Sequence, residues 1–274
     1  MVGSSRVGFG CLVALLYAFL LAPILLVVPL SFSGDSYLAF PPSSWSTRWY
    51  EALLGHDAMI EAFWVSLGVA STVTGLSLVT GLPAAYALTR GTFPGRDATM
   101  TLVTAPLLLP SVILGLAILL AFSRWGLIGT YPGIVLAHLV LTTPYVVRIM
   151  STALSTLPPS VEDAAATLGA DPATVFRRVT LPLLVPAVSA SAALCFLISF
   201  DEVVVSLFVT GPRIATLPVA IFTYVDTRTD PMIAAVSVVL VVGTLSGVVL
   251  IERTVGLSRA LGGGAGRGDL GVRG

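Results

Sequence analysis

Few residues in this 274-residue chain have side chains that could do chemistry, and they are thinly spread. The adjacent acids Asp201 and Glu202 follow a long apolar run, Glu162 and Asp163 open an alanine-rich stretch, and His138 sits alone among apolar neighbours. A carboxylate pair could attract a cation, but adjacent helical positions differ by about 100°, so the two would not face one lumen. His138 has no His, Cys or carboxylate at ligand spacing and reads as a structural histidine bonded to a neighbouring Thr or carbonyl. Cys11 and Cys195 both lie in apolar runs and read as two buried thiols, not as a disulfide or metal pair. The chain has no lysine, which excludes a GxxxxGK[ST] phosphate loop and Schiff-base chemistry. It also lacks GxSxG, HExxH and paired intramembrane aspartates, so nothing supports an intramembrane hydrolase. With net charge +0, no basic surface argues for nucleic acid.

The elements that must hold these residues are membrane helices. Residues are 56% apolar and only 10% charged, against about 25% charged in a soluble domain. Six stretches carry no charge: Val7–Gly34, Ala62–Thr89, Ala98–Ser123, Trp125–Val147, Val179–Phe200 and Pro231–Ile251. The shortest has 21 residues, enough for the roughly 20 that a spanning helix needs. The first is too long for a signal peptide and has no convincing cleavage site, so it reads as a retained helix. If the N-terminus is cytoplasmic, Arg6, Arg90, Arg96, Arg148, Arg177, Arg178, Arg253, Arg259, Arg267 and Arg273 lie inside. Only Arg48, Arg124, Arg213 and Arg228 lie outside, the bias expected of cytoplasmic loops. The outer segment Ser33–Met59 reads as loop around Pro41 and Pro42, with a short interfacial helix from Thr47 to Leu54 beside Trp45, Trp49 and Tyr50. Pro83, Pro106, Pro110, Pro144 and Pro186 allow kinks within or at the edges of spans. Gly243 and Gly247 allow close helix approach in the last span, and the glycine-rich Leu261–Gly274 reads as a disordered tail.

The inner loop between the fourth and fifth spans, residues 151–180, is the most structured connection. Pro158–Pro159 stops a helix arriving from the membrane. Ser160 stands three residues before Asp163, the spacing of a capping box, and the acids suit a helix N-terminus. A short helix through Ala164, Ala165 and Ala166 then ends at Gly169 in a left-handed turn. Asp171 caps a second short helix with Pro172 at its first position, Val175, Phe176 and Val179 on one face, and Arg177 and Arg178 elsewhere. Leu181–Pro182 ends the loop unit where the chain re-enters the membrane. A small-surfaced helix of this kind suits docking in a groove of another protein, or packing on its own bundle.

Glu162-Asp163-Ala164-Ala165, then Gly169, then Val179-Thr180-Leu181-Pro182 closely resembles the "EAA" loop of bacterial binding-protein-dependent ABC importer permeases. Asp163 replaces a glutamate and Val179 an isoleucine, both conservative. The resemblance runs from about Ile60 to Ile251. It includes Ala84-Ala85-Tyr86-Ala87-Leu88 with Arg90-Gly91 and Phe93-Pro94-Gly95-Arg96, Pro106–Pro110 with Leu114-Gly115, and Thr143-Pro144-Tyr145-Val146-Val147-Arg148. Ser199-Phe200-Asp201-Glu202-Val203 through Ser206, with Val209-Thr210-Gly211-Pro212, is most similar to the second permease of spermidine/putrescine systems.

This resemblance implies an all-α polytopic fold of six transmembrane helices, the type I ABC importer permease fold, with a cytoplasmic coupling helix between helices 4 and 5. Residues 1–59 would hold the first helix and outer loop, 60–251 the permease core and 252–274 the tail, with both termini at the cytoplasmic face of a bacterial inner membrane. The chain would form a solute pathway and couple through the 160–182 loop, by Glu162, Asp163, Ala164, Ala165, Gly169, Leu181 and Pro182. The implied partners are a homologous second permease, two cytoplasmic ATPases that bind ATP and Mg, and an extracytoplasmic solute-binding protein. No cofactor would sit in this chain. The implied solute is a polyamine or similar small organic cation, with opines, aminophosphonates and amino-acid-like solutes as alternatives. An ion-coupled secondary transporter would instead show repeated intramembrane ionisable residues and an inverted repeat. For Asp201 and Glu202, near the outer end of the fifth span, two readings stand: the mouth of the pathway, or an interfacial acidic cap.

Overall fold

The computed structural model describes residues 2–255, and the glycine-rich tail lies outside them. Every regular element among the described residues is helical: α1 (Val2–Ser31), α2 (Arg48–Leu54), α3 (Asp57–Arg90), α4 (Arg96–Thr104), α5 (Ser111–Ser123), α6 (Tyr131–Thr156), α7 (Pro159–Thr167), α8 (Pro172–Val175), α9 (Leu181–Phe200), α10 (Val204–Val209), α11 (Leu217–Thr227) and α12 (Met232–Val255). Four helical stretches are long and apolar enough to cross a bilayer: Gly8–Ser31, Asp57–Arg90, Tyr131–Thr156 and Pro172–Phe200. A fifth forms if Arg96–Leu108 and Ser111–Ser123, which meet at 107°, count as one broken span. That break falls at Leu109, whose ψ is 137°. Pro110 forces it: proline pushes the preceding residue out of the helical region and offers no N–H of its own. The Ala98–Ser123 window is therefore two angled segments, not one straight helix. The last window lies on α12, whose side chains are described only to Ser246.

The described residues fall into two compact units, one of Met1–Ile60 with Ile221–Gly247 and one centred on Glu61–Ala220. In the first, α1 is apolar on every side, and almost none of its described surface is covered by its own chain. Such a helix has no single face to bury and suits lipid on all sides. This corrects one expectation: Cys11 is exposed, whereas Cys195 is buried as expected. The segment that follows α1 is knotted around Asp35. Its carboxylate accepts from Ser33 Oγ at 3.1 Å, from Ser43 N at 3.0 Å and from Ser43 Oγ. Its carbonyl accepts from Arg48 at 2.6 Å and Trp49 Nε1 at 3.2 Å. The Ser43 hydroxyl leads the interactions that hold the Asp35 carboxyl below its ordinary value. The short helix begins at Arg48 with Thr47 as its cap position.

The second unit has two apolar clusters joined by α3 and α6. One gathers Val69, Val73, Ile134 and Val135 with Leu114, Ile118 and Phe122 of α5 and Val205 and Val209 of α10. The other gathers Ala85, Leu88, Val146, Val147, Met150 and Leu154 with Leu184 and Cys195 of α9. Gly81 permits close approach of the two long helices, since a Cβ there would lie 2.8 Å from Val146. Between the clusters runs a buried polar belt. Ser77 Oγ and Thr142 Oγ1 are 2.7 Å apart, and Thr142 donates to the His138 carbonyl at 2.9 Å. His138 is fully buried. Its Nδ1 lies 2.9 Å from Ser199 Oγ on α9 and its Nε2 2.9 Å from Ser206 Oγ on α10. The histidine is structural, as its surroundings suggest, but its ring is held by two serines distant in sequence, not by a neighbouring Thr or carbonyl.

A polar group left unpaired in such a core costs about 1–3 kcal/mol, whereas replacing all partners by apolar groups can be nearly neutral. His138→Phe should therefore destabilise the detergent-solubilised protein by about 2 kcal/mol or more, and adding Ser199→Ala and Ser206→Ala should recover much of that loss. Thermal unfolding of the three proteins checks this. A His138→Phe variant as stable as wild type would mean that the ring does not bolt the three helices.

Candidate functional site: the 157–182 loop and the Asp201–Glu202 pair

The first half of the 157–182 loop is built by its prolines and one glycine. α6 ends at Thr156, and Leu157 turns extended with ψ 117°. α7 starts at Pro159, with Pro158 as its cap position and no side-chain cap hydrogen bond. The expected capping box from Ser160 to Asp163 is thus absent. Proline at the first helical position has its φ preset and no N–H to satisfy, so the helix starts one residue before Ser160 and places it in the first turn. Gly169 has φ +88°, and the N–H groups of Gly169 and Ala170 return to Ala166 and Ala165 carbonyls at 2.9 and 3.2 Å. An added Cβ at Gly169 would meet nothing within 4 Å, so only the backbone demands glycine there.

The second half of the loop is continuous with the membrane helix. Asp171 Oδ1 accepts from Thr174 N at 3.1 Å and caps α8. Hydrogen bonds from Thr174, side chain before backbone, hold this carboxyl below its ordinary value, so the cap persists at neutral pH and is lost as acid protonates it. A π turn over Phe176–Thr180 then leads directly into α9, with Leu181 N donating to Phe176 O five residues back. Leu181–Pro182 therefore does not end the helix. Pro182 has no N–H to return to the preceding turn, and the wider turn absorbs that loss without a break. Arg177 and Arg178 are exposed, while Val175 is buried.

Polar contacts tie α7 to the helices on either side. Glu162 Oε2 lies 2.8 Å from Arg90 Nε at the end of α3, with side chains only 12% and 17% exposed. Glu162 Oε1 accepts from Thr180 Oγ1 at 2.6 Å, and Arg90 also donates to the Leu157 carbonyl at 2.9 Å. One turn back on α3, Tyr86 meets Phe176 edge-to-face at 5.2 Å. The other face of α7 is bare: Asp163, Ala164 and Thr167 are exposed, and Leu168 is 90% exposed. Ala165 is half-buried, and Leu181 and Pro182 lie at the start of α9, separate from that face. Arg90 and Thr180 are functional candidates that sequence reading missed. Both stand in the stretches that carry the family resemblance, but nothing in the spacing pairs either with Glu162.

At the other end of α9, Asp201 is the exposed C-cap residue. Glu202 turns back on the chain, its Oε1 accepting from Val205 N at 2.8 Å in the first turn of α10. His138, bonded to Ser199 before the break and Ser206 after it, spans the segment that carries both acids. The two carboxylates thus have different surroundings, but not because they are adjacent on a helix: both lie in the break between α9 and α10.

Residues 77–253 match the family of binding-protein-dependent transport system inner membrane components. The chain is 38% identical over 231 residues to the putrescine transport system permease protein PotI of Escherichia coli K12, covering 82% of each. It is 34% identical over 237 residues to the spermidine/putrescine transport system permease protein PotC of Haemophilus influenzae, covering 86% of this chain and 91% of that one. A bacterial ABC transporter involved in the import of the acidic polysaccharide alginate has a chain of the same fold, with TM-score 0.68 at 19% identity over 92% of this chain and 96% of that one. The chain belongs to the binding-protein-dependent inner membrane component family. It is a multi-pass permease subunit of an ABC importer and a transport protein, not an enzyme; ATP hydrolysis belongs to partner ATPases.

Losing a cap costs about 1 kcal/mol. Glu202→Ala should destabilise the protein by roughly that amount, and Glu202→Gln, which keeps the acceptor oxygen, by much less. Thermal unfolding separates the two variants, and equal losses would mean that the Val205 contact contributes nothing.

Proposed function

We propose that this chain crosses the inner membrane six times with both termini in the cytoplasm, and forms the solute pathway of a polyamine importer with a homologous second permease. The observation that carries the substrate class is the 38% identity to a putrescine permease over 82% of both chains. An extracytoplasmic binding protein delivers the solute, and two cytoplasmic ATPases bind ATP and Mg, with no cofactor in this chain. The bare face of α7, with Asp163, Ala164 and Leu168 outward, docks in the ATPase, and Gly169 and the 171–182 segment set its angle. ATP-driven closure of the ATPases moves α7 as a lever, and the spans rock between inward- and outward-open states. Asp201, exposed at the end of α9, supplies negative charge at the outer mouth. Counting Asp35, Glu51, Asp57, Glu61, Asp201, Glu202, Asp226 and Asp230 against four arginines, that side is net −4 (4 − 8), which favours approach of a cation.

Uptake of labelled putrescine by the reconstituted importer tests the substrate. Excess unlabelled spermidine or putrescine should abolish uptake, whereas an opine, an aminophosphonate or a neutral amino acid should not. Asp201→Asn should lower uptake of the dication without loss of assembly. Competition by one of the other solutes, with no effect of polyamines, would overturn the substrate class.

Cysteine accessibility in intact cells tests the topology. Ser44→Cys should react with an impermeant thiol reagent and Ser160→Cys should be protected, both positions being exposed on the chain itself. The reverse pattern would invert the orientation.

A further inference from the structure

We infer that Glu162 is a positioning residue that fastens α7 to its own membrane helices and makes no contact with the ATPase. The inference rests on the reading of α7 as the docking element. Glu162 and Asp163 are adjacent acids at the start of one helix, yet they face opposite ways. Asp163 is exposed. Glu162 is turned inward at 12% side-chain exposure, with both carboxylate oxygens engaged: Oε2 with Arg90 at 2.8 Å and Oε1 with Thr180 at 2.6 Å. A carboxylate turned inward, with each oxygen against a group of its own chain, is not presented to a partner chain.

The three residues belong to three parts of the chain. Arg90 is the last residue of α3, Glu162 lies in the first turn of α7, and Thr180 closes the π turn that leads into α9. Arg90 also holds the Leu157 carbonyl, just after the end of α6. One carboxylate and one guanidinium therefore join α7 to the inner ends of α3, α6 and α9. A push on the bare face of α7 reaches all three helices through this knot, and Tyr86 against Phe176 backs it with an apolar contact. Without the knot, α7 would hang on its Pro158 and Gly169 hinges and could move alone.

The test uses the whole importer in proteoliposomes, reading ATPase retained on the purified complex and stimulation of ATP hydrolysis by putrescine with its binding protein. Glu162→Gln and Arg90→Gln should each retain ATPase within about twofold of wild type while lowering stimulation about fivefold or more, a typical coupling factor. The double variant should lose less than the two single losses combined, because both break the Arg90–Glu162 link. Thr180→Val should reproduce part of the loss and Thr180→Ser should not, which separates the hydroxyl from a general packing defect. Loss of ATPase from Glu162→Gln with Arg90→Gln unaffected would make Glu162 a docking contact and overturn the inference. So would full stimulation in both single variants. Gly169→Asp serves as the independent control: wild-type association and stimulation in that variant would refute docking through α7 itself, whereas its loss beside a normal Glu162→Gln would refute the knot alone.

Discussion

A membrane interior offers no water to a polar group, and that scarcity decides how the 61–220 unit is held together. Any hydroxyl, ring nitrogen or carboxylate kept there must find its partner within the protein or bear a cost of several kcal/mol. One such set lies among the spans of the unit, and a second lies where the 157–182 connection meets the helix ends. His138 with Ser199 and Ser206, extended through Thr142 to Ser77, joins α3, α6, α9 and α10 between two apolar clusters. Glu162 with Arg90 and Thr180 joins α7 to the inner helix ends. Apolar contacts alone would let these helices slide, since lipid is as good a neighbour to leucine as leucine is. The directional bonds fix their register.

The two sets divide the labour of a permease. The belt at His138 bridges the break between α9 and α10, and so fixes the segment that carries Asp201 and Glu202. The knot at Glu162 lies where the chain leaves the membrane on the side of the inner loop. α6 and α9 run between the two sets, with α3 reaching both as well. A displacement of the loop and a change at the acid pair are thus connected through the same helices, which suits a transporter that rocks rigid segments between two states.

Much of this was legible from composition and spacing. Charge-free windows located the long helices because a bilayer tolerates no dispersed charge, and Pro158–Pro159, Gly169 and Asp171–Pro172 punctuated the inner loop through backbone geometry alone. The sequence pattern failed where distant residues or competing local rules decide. Ser160 and Asp163 match a capping box, but Pro159 starts the helix first. Pro182 marks the end of the loop unit, but nothing in the pattern shows that a π turn carries the helix through it. Leu109 and Pro110 break a window that looks continuous. Cys11 is apolar in context yet exposed, because almost none of the described surface of α1 around it is covered. No spacing rule pairs Arg90 with Glu162, or His138 with Ser199 and Ser206, since these contacts span 61 residues or more.

The claim on which the account depends is that the bare face of α7 meets the ATPase. A photo-crosslinking amino acid at Leu168, the most exposed large side chain of this loop at 90%, reads that contact directly in the assembled, transport-active importer. Illumination should give an adduct between this chain and the ATPase subunit. An active complex that yields no such adduct from position 168, but does yield one from another inner segment, would contradict that claim.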